Sequence, residues 1–583
     1  MTDFATHRLR HLLEAGLIRA ADPSAQGEYQ FAHALVQDAA YASLLRAERR
    51  SLHLAVGDSL EADPAERQEE LAPRLADHFL LGGDLDRALT YLLRAGHAAA
   101  RVHASAEASL HFARALDLLD PNTSPPEVLE DVASGLGQAL ELQSRFGDAL
   151  RAYEWLEEAA QARGETGLHL AALMARAKIL ATPNPSQDPD LASSTLDQAL
   201  ALARRSGNAA AESRVLWNQM ILRVYSAGDI HEAVRLGQAS LEIARREGLD
   251  EQRAFTLNDL VYAYTALDDP ISALAAQAEA EGLWRRLGNL PMLADCLSIS
   301  VGARHLIGEF TQARAAADEA ASIALRIGNL WGQANSRFFV GQVYLDEGRP
   351  DLAIESREDT IRLGRLSGHD VAAYVAEADL AWIHAYLGEV ERAARELQAI
   401  ADSPPPFARR LLTPHVLGHL GRVQVRLGDL EAARRTLAEA GTLPPAEGLR
   451  LMAPFLVPMG LVELALAQGD LEAAESRLAI YLNFLRGHHA RAFVPEALGL
   501  LAQLETRRGR EAEARRDLEQ AHEDASAMGL RRMIGPLAVG LSRLDATQAD
   551  TWEARSREAF EFIASHIPDP ARRGHFLQSG LQP

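Results

Sequence analysis

The sequence predicts an all-α chain built as a superhelical solenoid of helix-turn-helix repeats, and three observations carry that prediction. Alanines recur 40 residues apart at Ala233, Ala273, Ala313, Ala353, Ala393 and Ala433, continuing to Ala152, Ala192, Ala474 and Ala514 with at most a one-residue slip. A turn signal precedes each of the central alanines, and a second glycine follows about twenty residues later, which divides each period into two helices. Apolar residues keep helical spacing throughout, as in Leu216, Met220, Ile221 and Val224, then Ile230, Ala233, Val234, Leu236 and Leu241, and almost no segment alternates as a strand does.

The turns read Phe146-Gly147-Asp148, Gly228-Asp229, Asp268-Asp269-Pro270, Gly308-Glu309, Gly348-Arg349, Gly388-Glu389, Gly428-Asp429, Gly469-Asp470 and Gly509-Arg510. Glycine permits the left-handed residue that ends a helix, and an acidic neighbour suits the N-terminus of the next. The second stops are expected at Gly167, Gly207, Gly248, Gly288, Gly328, Gly368, Gly448 and Gly529. The repeated alanine has a steric cause: two antiparallel helices on a short connection cross closely, and a methyl group fits where a larger side chain would part them. No such unit buries its apolar face alone, so each leans on its neighbours.

Before the array, His7 to Gly16 reads as a helix, and Leu17–Ala20 with Tyr29–Ala32 reads as a hairpin around Asp22–Gly27. This is a winged-helix-like remnant over residues 1–60, too short to form a whole winged helix. Capping helices are expected over 61–126, the ten-repeat array over 127–530 and closing helices over 531–583. Pro121 to Pro126, Thr182 to Pro189 and Ser403 to Pro406 are expected loops.

The stretch Phe31-Ala32-His33-Ala34-Leu35-Val36-Gln37-Asp38-Ala39-Ala40-Tyr41, with Leu75 to Phe79 and Asp86 to Leu92, resembles the junction in STAND-type signalling ATPases. It is similar above all to the predicted ATPases associated with nucleotide cyclases and transcription activators. Ala108, Phe112 and Ala115 resemble the second-helix signature of tetratricopeptide repeats, although that family's common period is about 34 residues. The resemblance implies a right-handed superhelix that serves as the C-terminal sensor or interaction arm of a signalling or transcription-regulation system. It cannot carry over the ATPase: the only lysine, Lys178, lies in a helix, and no phosphate-binding loop is present. The chain is thus either a freestanding relative working with a separate ATPase or a piece of a longer one.

Charge and composition narrow the function. A net charge of −22 opposes broad electrostatic binding to nucleic acid or anionic membrane. Cys296 stands alone, so neither an intramolecular disulfide nor a cysteine-cluster zinc site is possible. No run of about 18 apolar residues and no signal core is expected, which suits a cytoplasmic protein. No nucleophile elbow, zinc-protease helix or dinucleotide fingerprint occurs, so no enzyme and no cofactor are expected.

Candidate binding residues follow from the expectation that the first helix of each unit lines the concave side. Counting thirteen, ten, six and three residues back from each turn gives Asn218 and Tyr225; Phe255, Asn258 and Tyr262; Asp295 and His305; Asn335, Phe338 and Gln342; Trp382; and His415 and Arg422. Such aromatic, amide and charged groups suit an extended protein or peptide, and a small-molecule effector is the alternative. Asn218 and Asn258 resemble the asparagines with which some tetratricopeptide proteins clamp a C-terminal carboxylate, but the lysines of that clamp are absent. His415 and His419, four apart, have metal-compatible spacing, yet the sequence places no carboxylate or third histidine beside them, and no metal is expected.

Overall fold

The computed structural model describes residues 2–20, 29–102, 104–182, 184–225, 229–267, 269–405, 412–442 and 453–580. These residues form thirty α-helices and one two-stranded antiparallel sheet, in which Ile18–Ala20 pairs with Tyr29–Phe31 and Ile18 faces Phe31. Gly228, Asp268, Pro406, Gly448 and the expected hairpin loop Asp22–Gly27 lie outside the described residues, as does the side chain of Tyr225. The chain divides into two compact units, residues 1–176 and 177–583.

The first unit begins with helix Thr2–Glu14 and the hairpin, then helices Ala34–Ser43 and Arg46–Glu61. Its core centres on Leu75, Phe79, Tyr91 and Leu92, with Arg87 tying Asp58, Glu61 and Asp84 together beside it. Ser144, at φ 57°, takes the turn before helix Phe146–Arg163, and Gly147 lies inside that helix rather than at the turn. Likewise the stop is Gly164, at φ 69°, while Gly167 falls within helix Thr166–Ala181.

The second unit is a coil of helix pairs. Every repeat alanine it contains, from Ala192 to Ala514, has no accessible surface, which is the close crossing the period implies. Six of the turn glycines and Gly207, Gly248, Gly288, Gly328, Gly368 and Gly529 have positive φ. The turn at Gly308 shows why: its amide bonds to the carbonyl of His305 at 3.0 Å and the Glu309 amide to that of Arg304 at 2.9 Å, a closure that needs a left-handed residue. Asp229, Asp269 and Asp470 then cap the helices that follow by accepting from backbone amides.

The coil also meets itself far along the chain. Arg532 pairs with Asp346 and Arg572 with Glu389, partners 186 and 183 positions apart. At Gly348 a Cβ would come within 2.9 Å of Ile563, so the turns of early repeats press against late helices. The sequence-based expectation that no segment is apolar enough to cross a membrane needs correcting, since helix Leu290–Ile307 has that length and composition. Most of it is buried within the coil, where Leu293, Leu297 and Val301 pack into the core.

If methyl-sized contacts set the crossing, Ala273→Phe should cost about 1–3 kcal/mol of overpacking. Ala278→Phe, on an exposed position of the same helix, should cost under about 0.5 kcal/mol. Urea unfolding of the two variants measures the difference.

Candidate functional site

The first helices of the second unit pack along one another, and the polar groups they place between them form two networks. The earlier one runs along helices Ala209–Tyr225, Asp250–Ala266, Leu290–Ile307 and Leu330–Asp346. Trp217 donates its indole N–H to Asp259 at 2.7 Å, and the Asn258 side-chain amide donates to Asp295 at 3.0 Å. The Asn335 amide donates to the other oxygen of Asp295 at 3.0 Å. Neither carboxylate has a cationic partner among the described residues, and burial pushes Asp259 up to about 7 and Asp295 up to about 6. Phe255 packs edge-on to Trp284, with centroids 4.9 Å apart. Asn218 is buried and donates within its own helix, while Tyr262 is half-buried.

The later network is ionic. His305 meets Asp346 at 2.7 Å, and Asp346 also accepts from Arg532 at 2.7 Å and from Gln342 at 3.3 Å. Arg532 continues to Glu496 at 3.1 Å, Glu496 accepts from Arg422 at 2.6 Å, and Arg422 grips Glu463 through two bonds of 2.9 and 2.7 Å. Burial alone would raise the acidic groups, but Arg532 and Arg422 outweigh it and hold Glu496 at about 2. Asp346 is likewise held below its ordinary range, by Arg532 and then His305, against its burial. Arg422 and Arg426 both lie over the Trp382 ring, 4.6 and 4.5 Å from its centroid, and His419 stacks on the same indole.

His415 and His419 do have a carboxylate beside them, contrary to what the sequence suggests. Asp379, from the preceding first helix, accepts from both imidazoles at 2.8 and 3.3 Å, forming the one three-ligand cluster among the described residues. The donor set fits a hydrogen-bonded carboxylate better than a metal. Arg357 already holds the other oxygen of Asp379 at 2.9 Å, and Nδ1 of both histidines is buried without a partner. Ligation through Nε2 would put a proton on each of those nitrogens with no acceptor. Burial lowers His419 to about 4, which keeps that ring neutral at pH 7, and Arg357 and the imidazoles hold Asp379 well down despite its burial.

The structure therefore brings Asn258, Asp295 and Asn335 into one network and His305, Gln342 and Arg422 into another, with Trp382 against the second and His415 in the cluster on Asp379. Phe338 is buried, with its carbonyl accepting from Arg357. Asp259, Asp346, Asp379 and Arg426 were missed because they stand nine or two residues before a turn. Those columns are as regular as the ones counted.

Against the ionic network lies a cavity of about 710 Å³. Arg426, Arg507, Arg532 and Arg543 line it with Glu463 and Glu496, and Leu500, Met533, Leu537, Val539 and Leu544 supply apolar surface.

Against known proteins, no family model and no curated protein matches this chain. Among solved structures it is similar to a Rap protein complexed with competence and sporulation factor, at 14% identity and TM-score 0.45, over 62% of this chain and 98% of that one. It is also similar to a STAND protein with a tetratricopeptide repeat sensor from Pyrococcus horikoshii, at 16% identity and TM-score 0.37. That match covers 74% of this chain and 57% of the other. The helical-repeat architecture rests on the chain's own geometry.

The two unpaired carboxylates set a pH dependence. Their folded values lie above the unfolded aspartate value near 3.9, so the folded state holds protons that the unfolded state has released. Their contribution is fully present below about pH 4 and is lost as pH rises through 6 to 7. Asp259→Asn should remove its share of that loss, raising the melting temperature at pH 8 relative to wild type and leaving little difference at pH 4. The gap corresponds to about 1.4 kcal/mol per pKa unit removed, and thermal melts of both chains across pH measure it.

Proposed function

We propose that this chain is a non-enzymatic binding module of a signalling or transcription-regulation system, which seats a protein or peptide on the inner wall of its coil. The observation that carries the reading is where chemistry is concentrated. The second helices present the repeat alanines and solvated charges, whereas the first helices turn Trp382, Phe255, Asn335, Arg422 and their partners inward. A wall of fixed amides, indoles and guanidiniums beside apolar surface is suited to recognition by hydrogen bonds and anchored side chains. The one thiol of the chain is not activated: Cys296 is buried, and that burial pushes its thiol up, away from the reactive thiolate.

The cavity favours a second reading, a small-molecule-sensing arm, because about 300–1,000 Å³ is the ordinary size of a small-ligand site.

Hydrogen exchange on the intact chain, with and without a partner captured from cell extract, tests the proposal. Protection should appear in the inner helices Thr413–Leu427, Val494–Arg507 and Arg531–Leu544. Protection confined to the second helices, or no partner retained by the folded chain, would contradict it.

A further inference from the structure

The cavity against the ionic network is cationic in a chain whose net charge is −22. Four guanidiniums and two carboxylates line it, and both carboxylates are already in use. Glu463 is held by Arg422, and Glu496 is shared between Arg422 and Arg532. Arg507 donates to the backbone carbonyl of Leu466, a neutral acceptor. Arg426 and Arg543 make no ion pair among the described residues; Arg426 lies over the Trp382 ring, with Glu463 and Glu496 acting on it from further off. Other arginines of the array do find carboxylates, as Arg285 does in Glu281 and Glu319 and Arg253 in Asp250 and Glu279. Arg426 and Arg543 thus bring two guanidiniums without an ion pair to one half-open cavity.

Three features select what would neutralise them. Burial of its inner side and then the adjacent Arg422 lower the pKa of Arg426, while Glu463 and Glu496 oppose them, so an anion in the cavity would add to the side that favours the charge. Glu463 and Glu496 are already paired with Arg422 and Arg532, so the charge left for a ligand is that of Arg426 and Arg543, which suits one carboxylate. Leu500, Met533, Leu537, Val539 and Leu544 give the charge an apolar neighbour. An indole holds a guanidinium through its ring face and leaves the N–H donors free, so Arg426 is fixed in place and still able to grip two oxygens.

We propose that this cavity binds a small organic acid, a single carboxylate on an apolar body, with Arg426 and Arg543 receiving the carboxylate. The proposal rests on the sensing reading above and gives it a ligand class. A free acid and the C-terminal residue of a peptide share this chemistry.

The test titrates the full chain with 3-phenylpropionate, following heat and tryptophan emission. Trp382→Phe identifies the emission that belongs to the site. Saturable binding is expected, at least tenfold weaker for the neutral 3-phenylpropanol and for Arg426→Gln, and weakened by added salt. Arg426 makes no ion pair, so its glutamine variant should keep the wild-type circular dichroism and melting temperature. Should it not fold, Arg543→Gln, at an exposed position, gives the same comparison. Ala-Phe with a free C-terminus and its amide separate the two sources. Binding of the free dipeptide but not its amide admits a peptide end, and binding of phenylpropionate alone assigns a free acid. No saturable binding of either carboxylate to the folded chain, equal affinity for acid and alcohol, or wild-type affinity in both arginine variants would overturn the proposal. Failure here with a protein partner still mapped to the inner wall would sink the cavity alone, and failure of both would sink the module reading.

Discussion

The contact on which the second unit most depends is the chain of ionic partners His305, Asp346, Arg532, Glu496, Arg422 and Glu463 across its interior. Donors and acceptors alternate along it, so each group's second bond is satisfied by the next, as a buried polar network requires. Desolvating so many charges is costly, and a well-packed apolar set of the same volume could be equally stable. What ion pairs add is register. Asp346 and Arg532 are 186 positions apart, and only one way of laying late helices on early ones brings them together.

That register follows from the period. Methyl-sized contacts repeated at one position per unit make successive helix pairs cross alike, and equal crossings accumulate into a coil. Because the first helices all face the same way, residues that look scattered in sequence gather on one wall. Much of that wall is already occupied by the chain's own partners: His305, Asn335, His415 and Arg422 are all at most 3% exposed. Open space is found instead beside Arg426 and Arg543, which make no ion pair among the described residues, toward the C-terminal end of the coil.

The helices, their turns and the buried alanines were legible in the sequence because each depends on local geometry repeated many times. The partners were not, because pairing depends on which side chains neighbouring repeats place against each other, and in Asp346 with Arg532 on units several repeats apart, and the period encodes neither. Asp379 illustrates the limit. Nothing near His415 in sequence hints at a carboxylate 36 positions away, in the preceding repeat, although Asp379 shares its place nine residues before a turn with Asp259. Gly167 and Gly147 mark a different failure. Glycine is a permissive residue, not a command, and in those two repeats the left-handed residue is Gly164 or Ser144 instead.

A double-mutant cycle on Asp346 and Arg532 tests the account most directly. Removing either partner strands a buried charge and should cost about 3–5 kcal/mol. Asp346→Leu combined with Arg532→Met should cost no more than the worse single change, a coupling of at least about 2 kcal/mol in urea unfolding. Additive losses from the two substitutions would show that these side chains do not meet, and the coil-on-coil register would fall with them.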